Sequence, residues 1–298
     1  MGRKNHPTRR RVAAPASPTP RRPNRPRART SVGQHYLSDG HVLRRIADLA
    51  AIAPGETILE IGPGPGALTR RLAATGAPLI GIEVDERFSS NLRDLHHEFP
   101  KLRVAWGDVL KLDWEPLWGD TPPERRVIVG NIPYQITSPL MARLAQERTR
   151  FSRALIMMQR EVAERLVAPP GTRDRSALTV KMALDFRSEL VLRVKPQAFK
   201  PRPRVASAVV RLTPLADPPV ANEEERTMLR QLIEAAFGSR RQQLINSLTR
   251  HWRPSLPKAV WADLLERAGI APTLRAESLA REQFSELVKF LAMVEKRA

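Results

Sequence analysis

Short apolar segments alternate with helical patterns between residues 57 and 213, and this alternation constrains the fold more than any other feature of the chain. Strands are predicted over residues 57–61, 78–84, 102–106, 126–130, 153–159, 189–194 and 206–213. Helical patterns fit between them, for example over residues 67–74 and 138–146. Strands that alternate with helices form βαβ units, in which helices cover both faces of a parallel sheet. We therefore predict an α/β fold with a Rossmann-like sheet.

The pattern changes to helices alone after a proline-rich segment at residues 214–219. Helices are predicted over residues 223–237, 240–250, 258–268 and 282–296. A change of pattern at a proline-rich linker is typical of a domain boundary, which we place near residue 218. The prediction is an α/β domain over residues 31–217 and a small all-helical C-terminal domain over residues 218–298.

Residues 1–30 contain ten Lys or Arg residues, six prolines and no acidic residue. They have almost no large apolar side chains, so they cannot bury enough surface to offset the entropy of ordering the chain. We predict a disordered basic tail. Its acid-free composition is also typical of an organellar transit peptide, but the prolines oppose an amphipathic helix, and we favour an arm that binds nucleic acid.

The formal net charge of the chain is +19, and without the ten cations of the tail it is still +9. A basic body attracts a polyanion and releases its counterions, so the charge predicts nucleic acid as the partner. An Arg-rich, merely solvated surface is the alternative.

The chain contains no cysteine, and its six histidines are not paired with carboxylates at metal-ligand spacing, so we predict no metal site. It has no apolar run of the roughly 18 residues that a membrane crossing requires, and we expect a cytoplasmic protein without membrane association.

A glycine-rich turn follows the first predicted strand of the α/β region. Gly62, Gly64 and Gly66 open a helix at the end of that strand, which is where α/β sheets bind nucleotides. Together with Ala67 the turn also matches the loose dinucleotide fingerprint, so a NAD site stays open at this point. Glu83, at the end of the second strand, is placed to accept both hydroxyls of a ribose in either class of cofactor.

The sequence Asn131-Ile132-Pro133-Tyr134 directly follows the buried strand predicted over residues 126–130. A planar amino group, such as N6 of adenine, would find two acceptors in the side-chain oxygen of Asn131 and the carbonyl of Ile132. Pro133 fixes the turn that aims these acceptors, and Tyr134 offers a stacking face. The alternative interpretation is a strand-terminating turn with a core tyrosine. We predict methyl transfer to the amino group of a base.

Two further acids favour S-adenosylmethionine over NAD as the cofactor. Glu60 precedes the glycine turn, and Asp108 follows the third strand, where it can accept from the amino group of the cofactor's adenine. The alternative role of Asp108 is to cap a turn or a helix.

In these motifs the chain resembles the rRNA adenine N6-dimethyltransferase family, the KsgA and Erm group, over about residues 33–293. The segments that carry the resemblance are 33–37, similar to the family's G-Q-N-F-L, and 60–64, 83–85, 107–108, 131–134, 158–166 and 199–205. The resemblance implies a Rossmann-like, S-adenosylmethionine-dependent methyltransferase sheet. It implies cofactor contacts at His35, Leu37, Gly62, Glu83, Asp108 and Asn131. It also suggests Phe199 as a second wall around the target base.

Residues 236–248 resemble the F-x-x-R-R-K-x-x-x-N-S-L helix of the KsgA branch. Members of that branch dimethylate two adjacent adenines in the 3′-terminal hairpin of small-subunit rRNA during ribosome assembly. The resemblance therefore implies a monomeric enzyme whose partner is the assembling small ribosomal subunit. We predict that a basic helix around Arg240 and Arg241 binds the rRNA backbone; a solvated helix face is the alternative.

The chain departs from the family pattern at several positions. His35 replaces an Asn, Gln135 replaces an Asn after the central motif, residues 173–180 differ from the common Y-G-x-L-S-V, and the basic tail is unusually long. Three other functions stay open: an Erm-type enzyme that modifies large-subunit rRNA and confers antibiotic resistance, a non-catalytic nucleic-acid-binding assembly factor, and a NAD enzyme. We recognise no residue in this sequence that would serve hydride transfer in a NAD enzyme.

Overall fold

A computed structural model of the protein describes residues 35–220 and 222–295. The basic tail predicted over residues 1–30 and the first two residues of the 33–37 motif lie outside the described residues. None of the helices in the described ranges combines the length and the apolarity that a membrane crossing needs.

The described part of the chain forms β-strands and α-helices, which are numbered here in chain order. The strands are β1 (Tyr36–Leu37), β2 (Thr57–Ile61), β3 (Leu79–Glu83), β4 (Leu102–Trp106), β5 (Arg126–Asn131), β6 (Arg153–Gln159), β7 (Phe186–Val194), β8 (Phe199–Lys200) and β9 (Ser207–Pro214). The helices are α1 (Gly40–Ala50), α2 (Ala67–Ala73), α3 (Ser89–Glu98), α4 (Thr137–Gln146), α5 (Arg160–Leu166), α6 (Ala177–Asp185), α7 (Glu223–Phe237), α8 (Leu244–His251), α9 (Lys258–Arg267) and α10 (Arg281–Glu295).

The central sheet has the order β4-β3-β2-β5-β6-β9-β7. Neighbouring strands from β4 to β6 are parallel, as the alternating pattern predicts. The prediction of a parallel sheet is wrong for β9, which is antiparallel to both β6 and β7. A parallel return would need a long crossover, whereas residues 195–206 contain no α-helix, so the chain folds back on itself.

The middle of the sheet is buried on both faces, because every residue of β2 and β3 lies in the interior. Continuous apolar runs are typical of strands covered by helices on both sides. The strand order reverses between β2, which leads towards β3 and β4, and β5, which leads towards β6. Such a reversal opens a crevice at the carboxyl ends of the strands, which is where open α/β sheets bind ligands.

A small second sheet, which the sequence pattern does not predict, pairs β1 with β8. Leu37 lies opposite Phe199 and Tyr36 lies opposite Lys200 in an antiparallel register. The amide groups of Ser38 and Asp39 also donate to the carbonyl of Ala198. Two-residue strands show no alternation, so the ribbon is visible only after residues far apart in sequence have met.

The helices after residue 222 enclose a core of their own, which includes Trp261, Leu265 and Phe284. Val180 and Leu184 of α6 belong to the same core. The domain boundary near residue 218 stays a prediction. The chain passes there from β9 to α7, but α6, which precedes the boundary, packs in the core of the C-terminal helices.

The prediction of a helix from residue 240 is wrong at its start, because α8 begins at Leu244. Arg240 and Arg241 lie in the preceding turn. The hydroxyl of Ser247 holds this turn, since it donates to the carbonyl of Ala235 at 2.8 Å and accepts from the amide of Ser239 at 3.1 Å.

Candidate active site

A cavity of about 310 Å³ opens at the carboxyl ends of the central strands and is closed on one side by the β1–β8 ribbon. The residues predicted as catalytic or cofactor-binding all line it: His35, Leu37, Gly62, Glu83, Asp108, Asn131, Ile132, Pro133, Tyr134 and Phe199. The structure thus brings together groups that are separated by up to 164 positions in the sequence. Their roles stay predictions, but their proximity is a property of the fold.

The glycine turn adopts a backbone that side chains oppose. Gly62, Gly64 and Gly66 have φ angles of 69°, 54° and 84°, in the left-handed region. A Cβ atom at Gly66 would also collide with the side chain of Leu95 on α3. These glycines let the chain turn from β2 into α2 with its backbone exposed along the cavity wall.

Glu83 is held by three backbone N–H groups at the end of β3. Its Oε2 accepts from Gly64 at 2.8 Å, and its Oε1 accepts from Val84 at 2.9 Å and from Asp85 at 2.8 Å. Burial raises the pKa of this carboxyl, and the three N–H bonds oppose the rise. A carboxylate has about four acceptor sites, so the side chain keeps capacity for a hydroxyl donor in the cavity.

Glu60 lies deeper, at 1% exposure, and also lines the cavity. Burial raises its pKa to about 8, and the neighbouring charge of Glu83 adds to the rise. Its Oε2 is buried and has no hydrogen-bond partner among the described residues. An unsatisfied buried acceptor at a cavity wall fits a ligand that brings a donor or a positive charge.

The raised pKa of Glu60 predicts a pH-dependent stability. The group is protonated more readily in the folded chain than in the unfolded chain, so its contribution to stability is complete below about pH 4.5 and is lost as the pH rises towards 8. Between about pH 5.5 and 7.5, we expect the unfolding free energy of the wild type to fall with pH more steeply than that of Glu60→Gln, by up to about 1.4 kcal/mol per pH unit. Urea unfolding of the ligand-free protein at both pH values measures this.

The difference between wild type and Glu60→Gln cancels the titration of the groups that do not interact with Glu60. Glu98→Gln is the matched control, since that carboxyl is half-exposed and pairs with Arg70 on the surface. Equal pH slopes in wild type and Glu60→Gln would contradict the prediction.

The segment from Asn131 to Tyr134 leaves β5 at the centre of the crevice. The carbonyl of Pro133 accepts from Ile136 at 3.2 Å, and the carbonyl of Tyr134 accepts from the Thr137 hydroxyl at 2.9 Å. Within residues 35–220 and 222–295, no group donates to the Ile132 carbonyl or to the Asn131 side chain. The hydrogen bonds that stabilise the turn are thus made by Pro133 and Tyr134. The Asn131 side-chain oxygen and the Ile132 carbonyl are left available to accept from a ligand.

Tyr134 is anchored by β9, which lies two places from β5 in the strand order of the sheet. Its hydroxyl lies 2.8 Å from Oγ of Ser207, which is fully buried at the start of β9. Burial raises the pKa of the phenol, so the group is neutral near pH 7, and the Ser207 bond opposes the rise. Ser207 is 73 positions away and carries no local motif, so no sequence pattern predicts this contact.

His35, directly before β1, lies beside Tyr134, and Phe199 of β8 lines the same cavity. The rings of His35 and Tyr134 are 6.2 Å apart between centroids, and Phe199 is 3% exposed. Nδ1 of His35 lies 2.9 Å from the carbonyl of Pro201. A carbonyl only accepts, so Nδ1 carries the proton and Nε2 is left for another partner. The imidazole that replaces the family's Asn thus also fastens the two sides of the ribbon.

Asp108 both caps a turn and lines the cavity. Its Oδ1 accepts from the amide of Leu110 at 2.9 Å, and its Oδ2 is 4.0 Å from Nζ of Lys111. The capping role is therefore present in the structure, and the second oxygen is left with only a long surface ion pair. Among the described residues, no cluster of three or more His, Asp or Glu side chains has the geometry of a metal site.

Arg240 and Arg241 do not line the cavity; both are exposed in the turn between α7 and α8. The guanidinium of Arg240 donates to the carbonyls of Arg173 at 2.6 Å and Arg175 at 3.0 Å. Part of this cation is therefore used to connect the turn to the loop before α6.

A family model described as ribosomal RNA adenine dimethylase matches residues 25–293. Ribosomal RNA small subunit methyltransferase A of Geobacter metallireducens is 38% identical over 261 residues, which are 88% of this chain and 94% of that protein.

Two solved structures resemble the whole described fold. A dimethyladenosine transferase from Plasmodium falciparum aligns with a TM-score of 0.73 and 28% identity over 88% of this chain and 98% of its own. The 23S rRNA methyltransferase ErmE aligns with a TM-score of 0.64 and 30% identity over 86% of this chain and 99% of its own. The range matched by the family model includes every residue that lines the cavity.

Proposed function

Because the chain belongs to the ribosomal RNA adenine dimethylase family, we propose that it dimethylates N6 of two adjacent adenines in the 3′-terminal hairpin of small-subunit rRNA, with S-adenosylmethionine as methyl donor. The observation that supports this most is the pair of available acceptors at Asn131 and Ile132, in one cavity with the glycine turn and Glu83.

The cavity suits S-adenosylmethionine in its chemistry. Glu83 has acceptor capacity for ribose hydroxyls, and Asp108 has an oxygen for an adenine amino group. The buried, unpaired oxygen of Glu60 lies on the same wall as the glycine turn and can accept from an amino group, whose positive charge would in turn favour the ionised carboxylate. When bound, S-adenosylmethionine supplies an electrophilic methyl group.

The work of the protein is to make N6 of adenine nucleophilic, because its lone pair is delocalised into the ring. The Asn131 side-chain oxygen and the Ile132 carbonyl accept the two N6–H bonds and draw the amino group out of the ring plane. They also stabilise the positive charge that develops on nitrogen, which is an oxyanion hole with its sign reversed. The proton leaves to water afterwards, so no general base is required.

The target base is held between aromatic rings. Tyr134 stacks on one face of the base, and the bond to Ser207 keeps its ring in place. Phe199, on the opposite ribbon, supplies the second wall. Stacking is worth roughly 1–3 kcal/mol per base, which offsets the few kcal/mol needed to extrude a paired base.

The substrate follows from the named relatives and from the basic turn after α7. The relative from Geobacter metallireducens is named for the small subunit, and it covers nearly the whole chain. Arg240 and Arg241 present exposed cations that bind phosphates of the same rRNA. We propose that the enzyme acts as a monomer in the cytoplasm.

Mass spectrometry of rRNA tests the proposal. Purified protein is incubated with S-adenosylmethionine and small-subunit particles from a strain that lacks the endogenous enzyme. We expect two N6-dimethyladenosines in the 3′-terminal hairpin. Methyl groups found only in large-subunit rRNA would instead identify an Erm-type enzyme, as the similarity to ErmE allows. Tight RNA binding without methyl transfer or cofactor affinity would identify a non-catalytic assembly factor.

A further inference from the structure

A second cavity, of about 340 Å³, lies outside the candidate active site between α3 and β4. The strand β4 forms one edge of the central sheet, so nothing in the sheet covers its outer side. Leu92 of α3 and Leu102 of β4 form its buried floor. We call this feature the α3–β4 groove.

Trp106 is the outermost aromatic residue of the groove. The chain has five tryptophans, and four of them, Trp114, Trp118, Trp252 and Trp261, are at most 3% exposed. Trp106 is 40% exposed, although burial of its indole would contribute as much as that of any other residue in the chain. The solvent-exposed indole of Trp106 therefore offers a stacking surface that is not filled by the packing of the protein.

The polar groups of the groove are cationic or neutral. Arg93 on α3 and Arg103 on β4 line it, and no carboxylate belongs to its described lining. Arg93 is exposed and forms no ion pair or hydrogen bond with another described residue. Arg103 donates once, to the carbonyl of Leu117 at 3.3 Å. The carboxylates of Asp94 and Glu98 on α3 lie outside the lining, and Glu98 is paired with Arg70.

A histidine completes the groove. Nδ1 of His96 lies 2.7 Å from the carbonyl of Leu102, so it donates, and Nε2 has no hydrogen-bond partner among the described residues. An aromatic ring and arginines in one groove are the combination with which proteins hold single-stranded nucleic acid: the ring stacks on a base and the cations bind phosphates.

We propose that the α3–β4 groove is a second RNA-binding site, in which Trp106 stacks on an unpaired base and Arg93 and Arg103 bind the flanking phosphates. The proposal rests on the proposed function, since the RNA is the substrate rRNA. Trp106 lies opposite Glu83 in the sheet register, and Gly107 and Asp108 follow it into the active-site wall. RNA held there would run beside the cavity and restrain the approach of the target base.

Tryptophan fluorescence reports on this groove selectively, because the other four indoles are buried. Short single-stranded oligoadenylate, added to the full-length protein, should quench the exposed fraction of the emission. Anisotropy of the labelled oligonucleotide gives the affinity independently. We expect Trp106→Ala to weaken binding about tenfold. Trp106→Phe should lose the fluorescence response but keep most of the affinity, because a phenyl ring still stacks.

A charge variant tests the groove without altering its aromatic residue. Arg93→Gln should lower the slope of log affinity against log salt by about one. Arg45→Gln is the matched control: Arg45 is an exposed arginine on α1, a helix that contacts β7 at the opposite edge of the sheet. Its salt slope should equal that of the wild type.

Three results would overturn the proposal. These are an unchanged wild-type emission on addition of RNA, equal affinities of wild type and Trp106→Ala, and quenching by intact small-subunit particles but not by deproteinised rRNA. The last would mark a protein partner at the sheet edge. Methyl transfer by the same preparations separates the two proposals: a wild type that methylates while Trp106→Ala binds normally refutes only the groove, and an inactive wild type refutes the proposed function.

Discussion

Asn131→Ala is expected to lower the rate of methyl transfer to small-subunit rRNA about 100- to 1000-fold. The variant removes one of the two acceptors for the N6–H bonds, and the loss of a preorganised polar contact of this kind commonly costs about 3 kcal/mol of barrier. Asn131 ends β5 between Gly130 and the buried Ile132, so neither of its chain neighbours carries a polar side chain that could replace its amide. Single-turnover rates with labelled methyl donor measure the effect.

Asn131 is predicted to contact the cofactor as well as the base, so the two roles require separate measurements. Calorimetry gives the affinity for S-adenosylhomocysteine, and the rate at saturating cofactor gives the effect on transfer. Gln146→Ala is the matched control, because it removes an exposed side-chain amide at the end of α4, away from the cavity lining. A saturated rate within a few-fold of the wild type would show that Asn131 does not act on N6.

Asp185→Ala is expected to destabilise the chain by about 3–5 kcal/mol. Asp185 ends α6 with a fully buried side chain, and it pairs with Arg226 and, at 3.1 Å, with Arg230, both on α7. Arg148 approaches the same carboxylate at 3.5 Å. The side chain of Arg226 is 2% exposed, so the variant leaves a buried cation with only a long ion pair, at 3.7 Å, to the exposed Glu223; removal of one partner is the costly way to break a buried pair.

Chemical denaturation measures the loss, and hydrogen exchange shows where it acts. Because Asp185 connects α6 to α7, we expect faster exchange in α7 and the helices packed on it than in β2 or β5. Asp263→Ala is the matched control, since its carboxylate is 67% exposed and pairs with Arg267 at 3.7 Å; it should cost less than about 1 kcal/mol. Equal stabilities of the Asp185→Ala and Asp263→Ala variants would contradict the assigned role of the buried pair.

The central strands could be predicted because burial on both faces requires continuous apolar runs, which the sequence shows directly. Predicted strands 57–61 and 153–159 agree with β2 and β6 to the residue. Predicted strand 102–106 also agrees with β4, although β4 is a partly exposed edge strand. The direction of β9 could not be predicted in this way. Its residues suit either direction of pairing, and the choice depends on how residues 195–206 return the chain to the sheet.

Arg240 illustrates a second limit of sequence patterns. The helical pattern continues smoothly from residue 240, yet the turn before α8 is held by the Ser247 hydroxyl and by the guanidinium of Arg240 on the carbonyls of Arg173 and Arg175. The two bonds of the Arg240 guanidinium join segments more than sixty residues apart. Local helix propensity therefore cannot predict where α8 begins.

The sequence by itself determined the α/β alternation, the glycine turn, the acids that follow the strands and the motif from Asn131 to Tyr134, because each is a local pattern that local backbone geometry requires. Tertiary structure alone decided which of these groups share a cavity, that Ser207 anchors Tyr134, that the β1–β8 ribbon carries His35 and Phe199 to the site, and that Trp106 stays exposed above the α3–β4 groove. The physical reason is that burial and long-range hydrogen bonds depend on which distant segments pack together, and a sequence window does not contain the partner.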